Sequence, residues 1–153
     1  MPRLTRINYT PRVLGFGAIF VAISWLTYVR DWSAGLYVLA AVYFLLYPHC
    51  VYWFDRLRES PKGIEISAML FDAFMLALWT VAIEFSGWVS FTLLATVILN
   101  NTMTRGVPQF IRAAACYGLG LLVGALLFGV HWSPEAPLGI EIITMVALQV
   151  YIF

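Results

Sequence analysis

Five polar residues interrupt long apolar stretches of this 153-residue chain, and their side chains are the best placed to do chemistry there: His49, Asp72, Asn100, Asn101 and Arg105. A carboxylate among apolar residues must be paired, hydrogen-bonded or neutral, because burying an unpaired charge is costly. We therefore expect Asp72 to pair with His49 or Arg105. The five residues predict either a layer that binds a ligand and switches, or an interhelical hydrogen-bond network that only fixes packing.

Pro48 immediately precedes His49. A proline inside a helix lacks the backbone N–H and usually kinks the helix. A kink beside the polar residues makes Pro48 a candidate hinge.

Small residues recur four positions apart in the fifth apolar stretch, where they include Gly118, Gly120 and Gly124. Such spacing lets two helix backbones approach closely. The pattern predicts either packing inside one bundle or a homodimer contact, for which the segment 15–18, GFGA, is an equal candidate.

The composition identifies the kind of protein that positions these residues. Hydrophobic residues make up 62% and charged residues 11% of the chain, against about 45–50% and about 25% in soluble domains. These values exclude an ordinary soluble enzyme and a disordered segment. The net charge of +1 provides no field that would attract nucleic acid. We predict a polytopic membrane protein.

Six apolar stretches are long enough to be candidate spans, since about 20 residues of helix cross a bilayer. They cover residues 13–29, 34–54, 64–83, 88–104, 110–130 and 137–153. None shows the alternating polarity of a membrane-spanning strand. The predicted fold is therefore an all-α bundle of six transmembrane helices.

The basic residues predict the orientation, because cytoplasmic loops retain Lys and Arg. With the N-terminus inside, eight of the nine basic residues face the cytoplasm and only Arg30 lies outside. The eight are Arg3, Arg6, Arg12, Arg56, Arg58, Lys62, Arg105 and Arg112. We expect both termini to be cytoplasmic in a bacterial inner membrane, with the loop 55–63 in the headgroup layer or against a partner.

Charged residues also gather at the opposite ends of the spans: Arg30, Asp31, Glu84, His131, Glu135 and Glu141. Acids and a histidine can bind a cation, but charges at span ends are normally solvated, so no metal site is expected. The chain contains no HExxH, paired CxxC, phosphate-binding or nucleophile-elbow motif. Neither catalysis nor a cofactor is expected.

The sequence from Ile140 to Phe153 spans only about 21 Å as a helix, which is shorter than the hydrocarbon core. A backbone ending within the bilayer leaves carbonyl groups without partners. We therefore expect residues 1–153 to be one domain of a longer chain that continues on the cytoplasmic side.

Several motifs resemble the second type of bacterial membrane-associated sensor domain, the MASE type. They are the opening Pro11–Gly15, Tyr47-Pro48-His49, the short basic loop, Leu70–Ala73 and Asn100-Asn101, in family order from about residue 10 to 130. Members are N-terminal membrane regions of class III adenylate cyclases and GGDEF diguanylate cyclases. The resemblance implies a sensory role and a cytoplasmic cyclase after residue 153, and it carries over Pro48, His49, Asp72, Asn100 and Asn101.

These observations predict a membrane sensor and anchor domain, itself without catalytic activity. Its expected partners are the lipid bilayer, a second copy of the chain, a small-molecule or lipid ligand, and a C-terminal nucleotide cyclase, preferably an adenylate cyclase that makes cAMP. The alternative is a small transporter or ion channel that uses His49, Asp72 and Asn100 as a proton or ion path. An intramembrane enzyme is disfavoured because no catalytic set is recognisable.

Overall fold

A computed structural model describes residues 3–57 and 61–152. Six helices make up this part of the chain, and no strand occurs in it. They are α1 (Arg3–Val29), α2 (Ala34–Ala41, Val42–Leu46 and Tyr47–Leu57 in succession), α3 (Pro61–Ala82), α4 (Gly87–Arg105), α5 (Val107–Phe128) and α6 (Leu138–Ile152). The all-α prediction is confirmed for the described residues.

The helices extend beyond the predicted spans. Helix α1 begins at Arg3, and much of the predicted loop 55–63 is helical, because α2 continues to Leu57 and α3 begins at Pro61. Arg58 and Phe153 lie outside the described residues.

Four helical stretches in the described part are long and apolar enough to cross a membrane: Arg12–Val29, Ala34–Phe54, Glu65–Ala82 and Val107–Phe128. Helix α4 has 19 residues, but its hydroxyl and amide side chains keep it outside this group. Helix α6 has 15 residues, or about 22 Å. In the described residues, four helices are thus both long enough and apolar enough to cross a membrane, whereas the sequence predicted six spans.

The chain divides into two compact units. The first contains Met1–Glu65 and Pro137–Phe153, and the second contains Ile66–Ala136. Helices α1, α2 and α6 therefore belong to the first unit together with the first turn of α3. The rest of α3 belongs to the second unit with α4 and α5.

In the first unit, α1 packs against both α2 and α6. One buried face of α1 contains Phe16, Ile19, Ile23 and Leu26, spaced three or four residues apart as expected for a helix. Against α6 the packing is close at Gly139, where an added Cβ would lie 3.0 Å from Cζ3 of Trp25. Helix α6 is therefore held against α1 at a position where a larger side chain does not fit.

In the second unit, a turn of residues 83–87 connects α3 to α4, and the segment after α5 is bonded to it. Glu84 and Phe85 both have positive φ angles, 56° and 55°. The N–H of Ser133 donates to the carbonyl of Glu84 and the N–H of Gly87 to that of Pro134, both at 2.9 Å. The ring of Trp132 stacks on Phe85 with centroids 5.4 Å apart. These contacts fix the connection that leads to α6.

Buried threonines are a recurrent feature of the helices. Thr27, Thr80, Thr92 and Thr144 each donate the hydroxyl to the carbonyl four residues earlier, at 2.7–3.0 Å. A hydroxyl bonded to its own helix satisfies its hydrogen-bonding demand locally. This local bond allows each threonine to lie in an apolar interior, and of the four Thr80 also contacts a hydroxyl on another helix.

Candidate functional site

An aromatic and polar contact joins α1 to α2 in the first unit. The Tyr9 hydroxyl and Nδ1 of His49 are 2.8 Å apart, and the Tyr9 ring lies 4.4 Å from the Tyr52 ring between centroids. His49 and Tyr52 are three residues apart on α2 and so share one face of the helix. Tyr9 therefore contacts a single face of α2 through both a hydrogen bond and a ring contact.

One turn further along α1, Arg12 forms a buried ion pair with Glu65 at the start of α3. A guanidinium nitrogen lies 3.3 Å from the carboxylate, and the two side chains are only 9% and 8% exposed. A pair taken out of water depends on each partner, because removal of either leaves an uncompensated buried charge. The pair therefore fixes the first turn of α3 to α1.

The sequence did not predict this pair. Arg12 was expected among the basic residues that precede the first span, whereas α1 begins at Arg3 and places Arg12 well within the helix. Glu65 was not identified as a site residue. A signal was present, since Glu65 is an acid just inside the predicted span 64–83 and an acid there needs a partner.

A small cleft separates these residues, lined by Tyr9, Arg12, Pro48, Val51, Tyr52 and Glu65. The space open to the centre of a water molecule is about 10 Å³, which is room for about one water. In this conformation, a metabolite-sized ligand would need α1, α2 or α3 to move.

The residues before Pro48 form a π-helical segment, Val42–Leu46. The N–H of Tyr47 bonds to the carbonyl of Val42, five residues earlier, instead of four. Pro48 cannot donate to the carbonyl of Phe44, and its ring would crowd that carbonyl in a regular α-helix. The wider turn accommodates the proline. The sequence had predicted a kink at Pro48 and not a π-helical turn before it.

The other predicted polar residues belong to the second unit. Asp72 is buried on α3, with 6% of its surface exposed. Asn100 is half-buried and Arg105 is exposed at the end of α4. His49, by contrast, is an exposed residue of the first unit whose ring nitrogen meets Tyr9. The structure therefore distributes the predicted layer over both units.

Asn101 is the centre of a buried amide network between α4 and α5. Its Nδ2 donates to the carbonyl of Val97 at 2.9 Å, and its Oδ1 accepts from Nε2 of Gln109 at 3.2 Å. Asn101 and Gln109 are each 1% exposed. The network joins the two helices next to the Gly106 turn, where φ is +70°. Gln109 was not identified from the sequence, although it is an amide within an apolar stretch.

The glycines of α5 differ in their surroundings. A Cβ at Gly120 would overlap the carbonyl oxygen of Phe74 and lie 2.8 Å from Cβ of Ala77. A Cβ at Gly124 would lie 3.0 Å from the side chain of Val81, whereas one at Gly118 would meet nothing within 4 Å. Gly120 and Gly124 thus allow α5 to approach α3 within the same chain, and Gly118 is exposed.

A hydrogen bond reinforces this packing of α3 against α5. The hydroxyls of Thr80 and Tyr117 are 2.8 Å apart and buried. With the glycine contacts, it fixes the rotation of α5 relative to α3.

The charged residues predicted for the opposite ends of the spans do not gather into a metal site. Within the described ranges, no group of three or more His, Cys, Asp and Glu side chains is placed to hold a metal ion. Arg30 instead lies over the ring of Trp32, 5.3 Å from its centroid.

An all-helical chain with several apolar helices of spanning length is a multi-pass membrane protein. The family model of the MASE2 domain matches residues 7–95, more than half of the chain. The chain belongs to the MASE2 family of membrane-associated sensor domains. The searches of curated proteins and of solved structures gave no match.

The matched part extends from α1 into α4 and contains the Tyr9, Arg12, His49 and Glu65 contacts. The resemblance seen in the sequence extended to about residue 130, so Asn100, Asn101 and the glycines of α5 lie beyond the match.

Proposed function

We propose that this chain is the membrane sensor and anchor domain of a cytoplasmic nucleotide cyclase, with a class III adenylate cyclase as the first candidate and a GGDEF diguanylate cyclase as the second. Membership of the MASE2 family supports the sensory role. The cyclase would follow residue 153, and the domain itself would perform no catalysis.

The proposed topology has six spans, with both termini on the cytoplasmic side of a bacterial inner membrane. The distribution of basic residues supports it. Reporters fused after residues 33, 86 and 134 should score as external, and one fused after residue 107 as cytoplasmic. A cytoplasmic score after residue 134 would contradict the six-span topology.

One observation carries the regulatory mechanism. Helix α6, the last helix of the described residues, packs on α1, and α1 also bears Tyr9 and Arg12. A change in the contacts of Tyr9 or Arg12 can therefore shift α1, and a shift of α1 alters the support of α6. In the cyclases that carry such membrane regions, two catalytic domains must meet to form an active site. A twofold homodimer is the commonest assembly that brings two such domains together.

The first test is expression of the complete gene in cells that lack their own cyclases, followed by measurement of cAMP and cyclic di-GMP formation in isolated membranes. Production of one of these nucleotides, lost on substitution of the cyclase active site, is expected. Membranes that form neither nucleotide would overturn the proposal.

The second test examines transmission through α6. One alanine inserted after residue 153 rotates a following helix by about 100°, and four insertions nearly restore its phase. Cyclase activity should fall with one insertion and recover in part with four. Cyclase activity that does not depend on the number of inserted alanines would contradict transmission by α6.

A transporter would behave differently. Proteoliposomes containing the purified domain, loaded with a pH-sensitive dye, should show no proton flux above that of empty liposomes. Flux that depends on Asp72 would support the transporter instead.

A further inference from the structure

The π-helical segment of α2 lies between two groups of residues that contact α1. Ala40, Phe44 and Pro48 are all buried, at intervals of four residues. Pro48 follows Ala40 by eight positions, whereas two α-helical turns take roughly 7.2 residues. An unbroken α-helix would therefore place Pro48 about 80° from Ala40 around the helix axis. The wider turn at Val42–Leu46 takes up this excess and keeps the three residues on one face.

If the wide turn were lost, the N–H of Tyr47 would still donate one backbone hydrogen bond, but to a different carbonyl. Its N–H now bonds to the carbonyl of Val42, and in a regular α-helix it would bond to that of Tyr43. Pro48 donates no bond in either arrangement. The α-helical arrangement also brings the Pro48 ring against the Phe44 carbonyl, so the helix must bend there, and the side-chain contacts of α2 act together with this cost.

Those contacts are with α1. The Phe16 ring lies 5.7 Å from that of Tyr43 and 5.6 Å from that of Phe44, within the segment. After the segment, Tyr9 contacts His49 and Tyr52. The buried Arg12–Glu65 pair meanwhile fixes α1 to the start of α3. Helix α1 is thus a stable reference against which the second half of α2 can turn.

We propose that α2 is a two-register switch. In one register the segment Val42–Leu46 is π-helical, as in this structure, and in the other it is α-helical with a bend at Pro48. The change turns Tyr47–Leu57 by about 100° and advances it by about 1.5 Å. Each residue then takes the place of the next one, so that Val51 replaces Tyr52 against Tyr9. The movement stands on the α2 geometry alone, whereas its effect on a cyclase rests on the proposed function.

Disulfide cross-linking in membranes tests the movement in the full-length protein, with Cys50→Ser and Cys116→Ser as background. Tyr9→Cys is combined with Tyr52→Cys for the register seen here, or with Val51→Cys for the other register. The control partner is Trp53→Cys, at a side chain that is 63% exposed. The Tyr52 pair should cross-link well above the control pair. Val51 already lines the cleft beside Tyr9 in this register, so the Val51 pair is compared with the same pair in a protein that lacks the wide turn.

Deletion of Leu46, an exposed residue of the segment, provides a matched test of the cause. It leaves Ala40 and Pro48 seven positions apart, so a regular α-helix keeps both on one face within about 20°. The deletion should retain the Tyr52 cross-link and slow the Val51 cross-link several-fold. A Val51 pair that cross-links equally fast with and without Leu46 would overturn the switch.

Cyclase output then tests the coupling. Locking the two registers by cross-link should give rates that differ by about twofold or more, reversed by reductant. The two locked registers could give equal rates while activity still depends on the number of residues inserted after residue 153. That result would overturn the switch as a regulator and leave the proposed function intact. Unequal rates without any phase dependence would support the switch and contradict transmission through α6.

Discussion

Glu65→Gln is expected to destabilise the protein strongly, because it removes the negative partner of a buried ion pair. The guanidinium of Arg12 lies 3.3 Å from the carboxylate, and both side chains are less than a tenth exposed. Breaking such a pair costs about 3–5 kcal/mol, since the remaining charge stays buried without its ion-pair partner. For a chain of this size each kcal/mol shifts the midpoint of thermal unfolding by roughly 2–4 °C, so we expect a fall of roughly 6–20 °C.

The assay is thermal unfolding of the purified protein in one detergent, followed by circular dichroism and by loss of the monodisperse peak. Arg105→Gln is the matched control, because Arg105 is exposed and surface substitutions change stability by about 0.5 kcal/mol or less. The double variant Arg12→Met with Glu65→Leu removes both charges and should recover most of the loss, since an apolar pair of similar volume is often neutral.

The pattern across the three variants distinguishes a buried pair from a hydrated one. If Glu65→Gln loses no more stability than Arg105→Gln, the Arg12 guanidinium has access to water and the reasoning from burial is wrong. If the double variant is as unstable as the single variant, the loss comes from packing and not from an unpaired charge.

Two further variants test the second unit. Gly120→Ala should cost about 1–3 kcal/mol, because a methyl group would overlap the Phe74 carbonyl, whereas Gly118→Ala meets nothing within 4 Å and should be neutral or slightly stabilising in the same unfolding assay; equal effects would refute the close approach of α3 and α5. Asn101→Leu should cost about 1–3 kcal/mol, since it removes the acceptor of Gln109 Nε2 in a buried position. Asn100→Leu, at a half-buried residue, is its control, and an Asn101 variant no less stable than this control would show that the amide network does not contribute.

The sequence allowed the helices to be predicted because long apolar stretches permit few other structures in a membrane. Predicted and observed helices correspond one to one in the described residues, although α4 and α6 do not meet the criteria for spanning. A kink was expected at Pro48, since the missing N–H is a local property of the residue. The π-helical turn that precedes Pro48 was not predicted.

The contacts between helices were not predictable from one sequence. Each residue turns a helix by about 100°, so an error of one residue in rotation moves a side chain to another face. Asp72 was expected to pair with His49 or Arg105, whereas the contact of the His49 ring nitrogen with Tyr9 was not foreseen. Arg12 and Glu65 are separated by 53 positions, so the pattern near either residue does not reveal the other. To predict such a pair, the rotation of both helices about their axes must be known.

Helix α1 is the element that relates these findings to a function. Tyr9, Arg12 and Phe16 lie three and four residues apart on one face, and they contact α2, the start of α3, and the π-helical segment respectively. A shift of α2 therefore changes the contacts of α1 at both ends of this face. Helix α6 packs on the same helix and comes close to it where Gly139 lies against the Trp25 ring. The transmission proposed above would therefore run by direct packing from α2 through α1 to α6.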